Sequence, residues 1–196
     1  MALAHLLNLS YSKESNIKKE ITKEEIKPII PHLRDYIAFW REYPDLFVDF
    51  MATGGKERTK STFTFFYYQR IFLRVSMRYK YCYAVYPRAY SKSFLSILVL
   101  MIRAILYPGA QLFCTAGGKE QAAQILSEKV NLICELIPAF NKEIKRGRGN
   151  DFSKESKDYC KYIFTSGSTI ENLAASERSR GRRMHAGLIE ECVGVD

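Results

Sequence analysis

The chain has 196 residues, 47% hydrophobic and 26% charged, a composition that fits one globular domain with an apolar core and excludes wholesale disorder or a fibrous repeat. Five cysteines without CxxC spacing exclude a disulfide framework and a zinc site of the usual kind, leaving buried free thiols as the reading. The net charge of +9 is local: nine Lys and Arg residues and no Asp or Glu stand between Arg58 and Gly118, while the other 21 basic residues balance the 21 acidic ones. Such a window either attracts polyanions, meaning the phosphates of a nucleotide or of a nucleic-acid backbone, or is a solvated basic face.

Met1 to Ser10 has neither a basic leader nor a small-residue cleavage site, so no signal peptide is expected. Residues 11–27 read as a marginal helix or a flexible lead-in. From His32 to Met51 apolar residues recur at helical spacing and Pro44 interrupts them, which predicts two short helices. Thr53 to Lys60 is a Gly-containing polar connector, so residues 1–60 form a helical lead-in and residues 61–196 the main domain.

Phe63 to Tyr79 predicts a half-buried helix whose aromatic residues Phe63, Phe65, Phe66, Tyr67, Tyr68 and Phe72 are read mostly as core packing, with base stacking as the lesser alternative. Its Arg70, Arg74 and Arg78 share one stripe that faces DNA or solvent. Tyr81 to Tyr86 predicts a strand and Ser91 to Tyr107 a helix ended by Pro108-Gly109. The apolar stretch Phe94 to Leu106 is too short to span a bilayer, for which about 18 residues are needed, and Arg103 interrupts it, so no membrane is expected and cytosolic residence is the default. Gln111 to Ala116 predicts a strand, Glu120 to Ile137 an amphipathic helix, and Asn141 to Lys157 an exposed loop. Tyr159 to Ser166 and Ser168 to Leu173 read as a hairpin around Gly167, and Ala186 to Ile189 as a last strand. Alternating strands and helices predict an α/β fold with a mostly parallel sheet covered on both faces.

Two segments carry chemistry. The run Tyr86-Pro87-Arg88-Ala89-Tyr90-Ser91-Lys92-Ser93 has the strand-loop-helix context of a phosphate loop. A Lys at that helix start reaches β- and γ-phosphates, the next hydroxyl ligates Mg²⁺, and backbone N–H groups face the anion. Tyr86 and Ser91 replace the usual glycines, and the rival reading is an ordinary helix start capped by Ser91. The second segment is Leu188-Ile189-Glu190-Glu191, where an apolar strand ends in two carboxylates. One of them can support a hydrated Mg²⁺ and the other polarise the attacking water, as nucleotide hydrolysis requires; the rival is a strand meeting solvent.

In this order the motifs resemble the large subunit of the tailed-phage terminase, a DNA-packaging motor. Tyr68-Gln69-Arg70 with Phe72-Leu73 is similar to its adenine-recognition segment, Pro87 to Ser93 to its deviant phosphate loop, and Leu188 to Cys192 to its acidic strand. Cys114-Thr115-Ala116, Gln121-Ala122, Ile163-Phe164, Gly167-Ser168 and Tyr43-Pro44 fall in between or before as that family has them.

The resemblance implies a P-loop NTPase sheet of the RecA-like kind, with ATP and Mg²⁺ as cofactors. It implies Gln69 on adenine; Arg88, Ala89, Tyr90, Ser91, Lys92 and Ser93 around the phosphates; Ser93 and Glu190 on the metal; and Lys92, Arg88 and Glu191 in catalysis. Implied partners are double-stranded DNA, the small subunit, and the portal of a procapsid, with a homo-oligomeric ring working in the host cytoplasm. Against the family pattern the chain stops soon after the acidic strand, before the coupling motif and the nuclease domain, so an incomplete sheet is expected. The rival functions are a helicase-type nucleic-acid-dependent ATPase and an inactive fragment that binds nucleic acid or a subunit.

Overall fold

The computed structural model of the chain describes residues 30–54, 62–174 and 183–190. It is an α/β structure. Helices α1 (Ile30–Glu42) and α2 (Pro44–Thr53) divide at Pro44, which opens α2 where a missing N–H costs nothing. Gly54 closes α2 in the left-handed region, φ 61°, and its N–H reaches Phe50 O. Next come α3 (Tyr67–Arg78), α4 (Lys92–Leu106), β1 (Gln111–Thr115), α5 (Lys119–Leu136) and α6 (Pro138–Glu143). Strands β2 (Lys154–Glu155), β3 (Cys160–Ile163), β4 (Thr169–Asn172) and β5 (Ala186–Ile189) complete the described elements.

The five strands form one sheet in the order β2-β3-β4-β1-β5. β1 is parallel to both of its neighbours, with Gln111 opposite Thr169 of β4 and Leu112 opposite Ala186 of β5. β3 is antiparallel to β2 and β4. The sheet is therefore mixed, which corrects the expectation of a mostly parallel one. The physical reason is connection length: β3 and β4 are joined by a tight turn in which Gly167 adopts φ 81°, and a short connection joins only antiparallel strands. The predicted loop at Asn141 to Lys157 likewise contains the end of α6 and the two-residue β2.

The core centres on α4, where every residue from Phe94 to Leu106 except Arg103 is buried. A helix apolar on all sides must be covered on all sides. Leu95, Ile97, Leu98, Met101 and Ile102 share one cluster with Phe47 of α2, Leu73 of α3, Leu126 of α5 and Tyr162 of β3. Each such Leu or Ile contributes roughly 1.5–3 kcal/mol through burial. The ends of α4 and α3 are closed by cations: Arg41 donates to Leu106 O through Nε and Nη2, at 3.0 and 2.5 Å, and Arg103 donates to Ser76 O and Met77 O. At the C-terminal end of β4, the Asn172 amide accepts from Cys160 N and donates to Lys119 O and Asp158 O, locking β3, β4 and the start of α5 together.

Two further expectations are corrected. First, Tyr81 to Tyr86 is not a strand: Lys80 to Tyr86 makes no backbone hydrogen bond among the described residues, and Tyr81, Tyr83 and Val85 are exposed. A β-prone run becomes a strand only where a neighbour supplies the ladder.

Second, the arginine stripe of α3 is paired with acids rather than free, although Arg74 and Arg78 stay in part open to solvent. Arg74 makes a two-pronged contact with Asp45, at 2.7 and 2.9 Å; Arg70 contacts Asp45 at 3.1 Å and Asp49 at 2.7 Å; Arg78 pairs with Glu42. The stripe fastens α1 and α2 onto α3. The aromatic segment is mostly core as read, with Phe72 buried and Phe63, Phe65 and Tyr68 packed against the core, while Phe66 and Tyr67 are exposed.

Of the thiols, Cys114 and Cys160 are buried, and burial pushes both up to about 12, but Cys82 is exposed. His185 is structural, its Nδ1 accepting from Gln111 N at 2.9 Å. No helix of the described residues is long and apolar enough to cross a membrane.

Candidate functional site

The loop between Tyr86 and Ser91 delivers the chain into the N-terminus of α4. Ala89 (φ 66°) and Ser91 (φ 55°, ψ 24°) occupy the left-handed region, and among the described residues no other non-glycine residue does so. Holding an L-residue there costs about 1–3 kcal/mol, a strain that concentrates at binding loops. Ser91 stands at a position where the resembled loop carries glycine, and it adopts the conformation for which glycine is suited. Its side chain makes no cap hydrogen bond, which corrects the reading of Ser91 as an ordinary helix cap. The first helical bond is Leu95 N–H to Ser91 O at 2.9 Å, so the N–H groups of the preceding turn have no helical acceptor. A left-handed residue followed by a helical one turns successive N–H groups to the same side, forming a concavity suited to an anion.

Aromatic rings brace this loop against α3. Tyr68 packs on Tyr90 with centroids 5.2 Å apart, Tyr86 stacks on Tyr90 at 6.4 Å, and Phe72 meets Tyr86 edge-on at 5.9 Å. Burial raises the Tyr86 phenol above its ordinary value, with Cys82 and Tyr68 adding to the effect. Tyr86, at the other glycine position, thus serves as an anchor rather than as a flexible joint.

Glu190 follows β5 and is 4% exposed. Its N–H donates to Thr115 O at 2.8 Å, extending the β1–β5 pairing by one residue. Its Oε1 accepts from the Ser93 hydroxyl at 2.5 Å and lies 3.6 Å from Lys92 Nζ. A cavity of about 660 Å³ opens at this point, lined by Arg88 to Phe94, Gln69 and Glu190. Sequence positions more than 100 residues apart, Gln69 and Glu190, are thereby brought to one cavity with the loop between them. Glu191 lies outside the described residues.

Gln69 is buried in the cavity wall, and its amide is engaged: Oε1 accepts from Phe66 N–H at 2.9 Å, and Nε2 donates to Tyr68 OH at 3.4 Å. The first of these bonds is the reaching-back half of a capping box at the start of α3.

The basic window now resolves into separate tasks. Arg70, Arg74 and Arg78 are neutralised by acids from α1 and α2, and Arg103 closes a helix end. Arg58 and Lys60 lie outside the described residues. Arg88 has no ion-pair partner among the described residues and lines the cavity with Lys92.

Lys129, Leu132 and Leu136, on one face of α5, also line the cavity, as do Phe63 and Phe66. The sequence reading missed the three α5 residues and took Phe63 and Phe66 mostly as core. The available signal was a second stripe at spacings of three and four on α5, offset from the buried stripe through Leu126, Val130 and Ile133. No protein-family model and no curated protein matches the chain.

Proposed function

We propose that the chain is an ATP-binding and ATP-hydrolysing domain of the P-loop kind, the motor portion of a tailed-phage terminase large subunit that packages double-stranded DNA into a procapsid. The observation that carries the nucleotide reading is the convergence of a left-handed loop at a helix N-terminus, an adjacent Lys-Ser pair and a buried carboxylate on one cavity of nucleotide size. The motor assignment rests on the order of the motifs along the chain.

In this mechanism the turn at Ser91 to Ser93 receives the β- and γ-phosphates through backbone N–H groups, and Lys92 adds a point charge. Arg88, without an acidic partner among the described residues, balances charge on the transferred phosphoryl group. Ser93 and Glu190 offer two hard oxygen donors in contact with each other, which suits Mg²⁺, an ion commonly held by one or two carboxylates plus substrate phosphates. When bound, that ion neutralises charge on the phosphate oxygens. Glu191 orients the attacking water. DNA, the small subunit, and the portal are the partners of this reading, and a ring of copies is its working form.

The test is a thermal-shift titration with Mg²⁺–ATP, followed by phosphate release. Wild-type Tm rises with the logarithm of ATP concentration once that exceeds Kd, and the Tm of Lys92→Ala does not. Equal shifts for the two proteins would overturn the nucleotide reading. Binding without any DNA-stimulated phosphate release would overturn the motor.

A further inference from the structure

The cavity has two chemically different walls. One is the cationic loop with Ser93 and Glu190; the other is apolar, with Phe66 70% exposed, Leu132 38% exposed and Leu136 43% exposed. Large apolar side chains left in contact with water at the wall of a polar cavity mark where a ligand's flat, apolar portion is received. Phe66 stacks at 6.2 Å and 9° on Tyr68, which braces its ring.

The adjacent polar group is poorly placed to read a base edge. Recognition of adenine by a glutamine amide uses its oxygen and its nitrogen together, as acceptor and donor. In this chain the Gln69 oxygen accepts from Phe66 N–H at 2.9 Å, and this bond fixes which way the amide faces. Using both amide atoms on a base would break the bond that closes the start of α3.

We infer that Phe66, Leu132 and Leu136 form a nucleobase subsite that binds by stacking and apolar contact, and that the site accepts ATP and GTP with little preference because Gln69 is a positioning residue for α3. This inference rests on the nucleotide reading above. It differs from what the family resemblance implies for Gln69, which is direct recognition of adenine.

Calorimetric titration of the full chain with Mg²⁺ complexes of ATP, GTP and inorganic tripolyphosphate tests it. ATP and GTP bind within about threefold of each other, and tripolyphosphate binds roughly 5- to 150-fold more weakly, the range that one stacked base contributes. Phe66→Ala reduces ATP affinity to that of tripolyphosphate and leaves tripolyphosphate unchanged, which also reports that the variant is folded. Leu132→Asn, on a different element, gives the same pattern to a smaller degree. Equal affinity of wild type for ATP and tripolyphosphate overturns the base subsite alone. A preference for ATP over GTP above about 30-fold overturns the role given to Gln69. Binding of neither ATP nor tripolyphosphate overturns the nucleotide reading and the subsite with it.

Discussion

The Ser93 hydroxyl donates to Glu190 Oε1 at 2.5 Å, joining the first turn of α4 to the end of β5 across 97 residues of sequence. Lys92 Nζ, 3.6 Å from the same oxygen, balances the charge of a carboxylate that is almost fully buried. A buried charge needs such a partner, since desolvation without one is costly. Glu190→Gln keeps the shape and an acceptor for Ser93 but removes the charge. The variant is expected to fold, to bind ATP in the absence of divalent ions as wild type does, and to lose the extra affinity that Mg²⁺ confers. Titrations with and without Mg²⁺ check this. A Mg²⁺ enhancement of wild-type size in the variant would move the metal away from Glu190.

Much of this arrangement is legible in the sequence, and the parts that are not share a cause. Lys92-Ser93 at a helix start and Glu190 after an apolar strand were readable because local pattern alone places them on their elements. The bounds of β5, Ala186–Ile189, follow from its apolar run for the same reason. What local pattern cannot supply is the partner. Arg70 and Arg74 read as a free basic stripe until Asp45 and Asp49 fold against them. Tyr81 to Tyr86 has the composition of a strand and lacks only the neighbour that would make it one. Gln69 illustrates the same point within the site: its residue type suits base recognition, yet its hydrogen bond to Phe66 is visible only in three dimensions.

Asp45 is fully buried between two guanidinium groups. Its burial by itself would raise the carboxyl pKa, but hydrogen bonds from Arg74 and Arg70 prevail and hold it below the ordinary value. A carboxylate with a depressed folded-state pKa stabilises the fold fully above its unfolded-state pKa, near 3.9, and that contribution is lost as pH falls through the folded value. Asp45→Asn should therefore cost about 3–5 kcal/mol at pH 7, the usual penalty for breaking a buried ion pair. The gap between wild type and variant should narrow as the pH drops below about 4. Urea unfolding at pH 7 and pH 3 measures both quantities; an undiminished gap at pH 3 would show that packing, not charge, makes Asp45 important.

Ser91 offers a sharper test of the loop, because its backbone and its side chain make opposite demands. At φ 55° a non-glycine residue carries a penalty of about 1–2 kcal/mol, and the Ser91 side chain recovers none of it through a cap hydrogen bond. Glycine removes that penalty but adds about 0.5–1 kcal/mol of chain entropy to be lost on folding. The balance favours Ser91→Gly by about 0.5–1 kcal/mol, a rise in Tm of roughly 1–4 °C for a chain of this size. ATP affinity should be unchanged, since the N–H groups keep their direction. Ser91→Val reverses the argument: a β-branched residue strongly resists the left-handed region, so the turn must open, Tm falls, and ATP binding is lost together with the concavity at the start of α4. Calorimetric melting and ATP titration of the two variants test the pair. Retention of tight ATP binding by Ser91→Val would show that the left-handed turn is not what receives the phosphates.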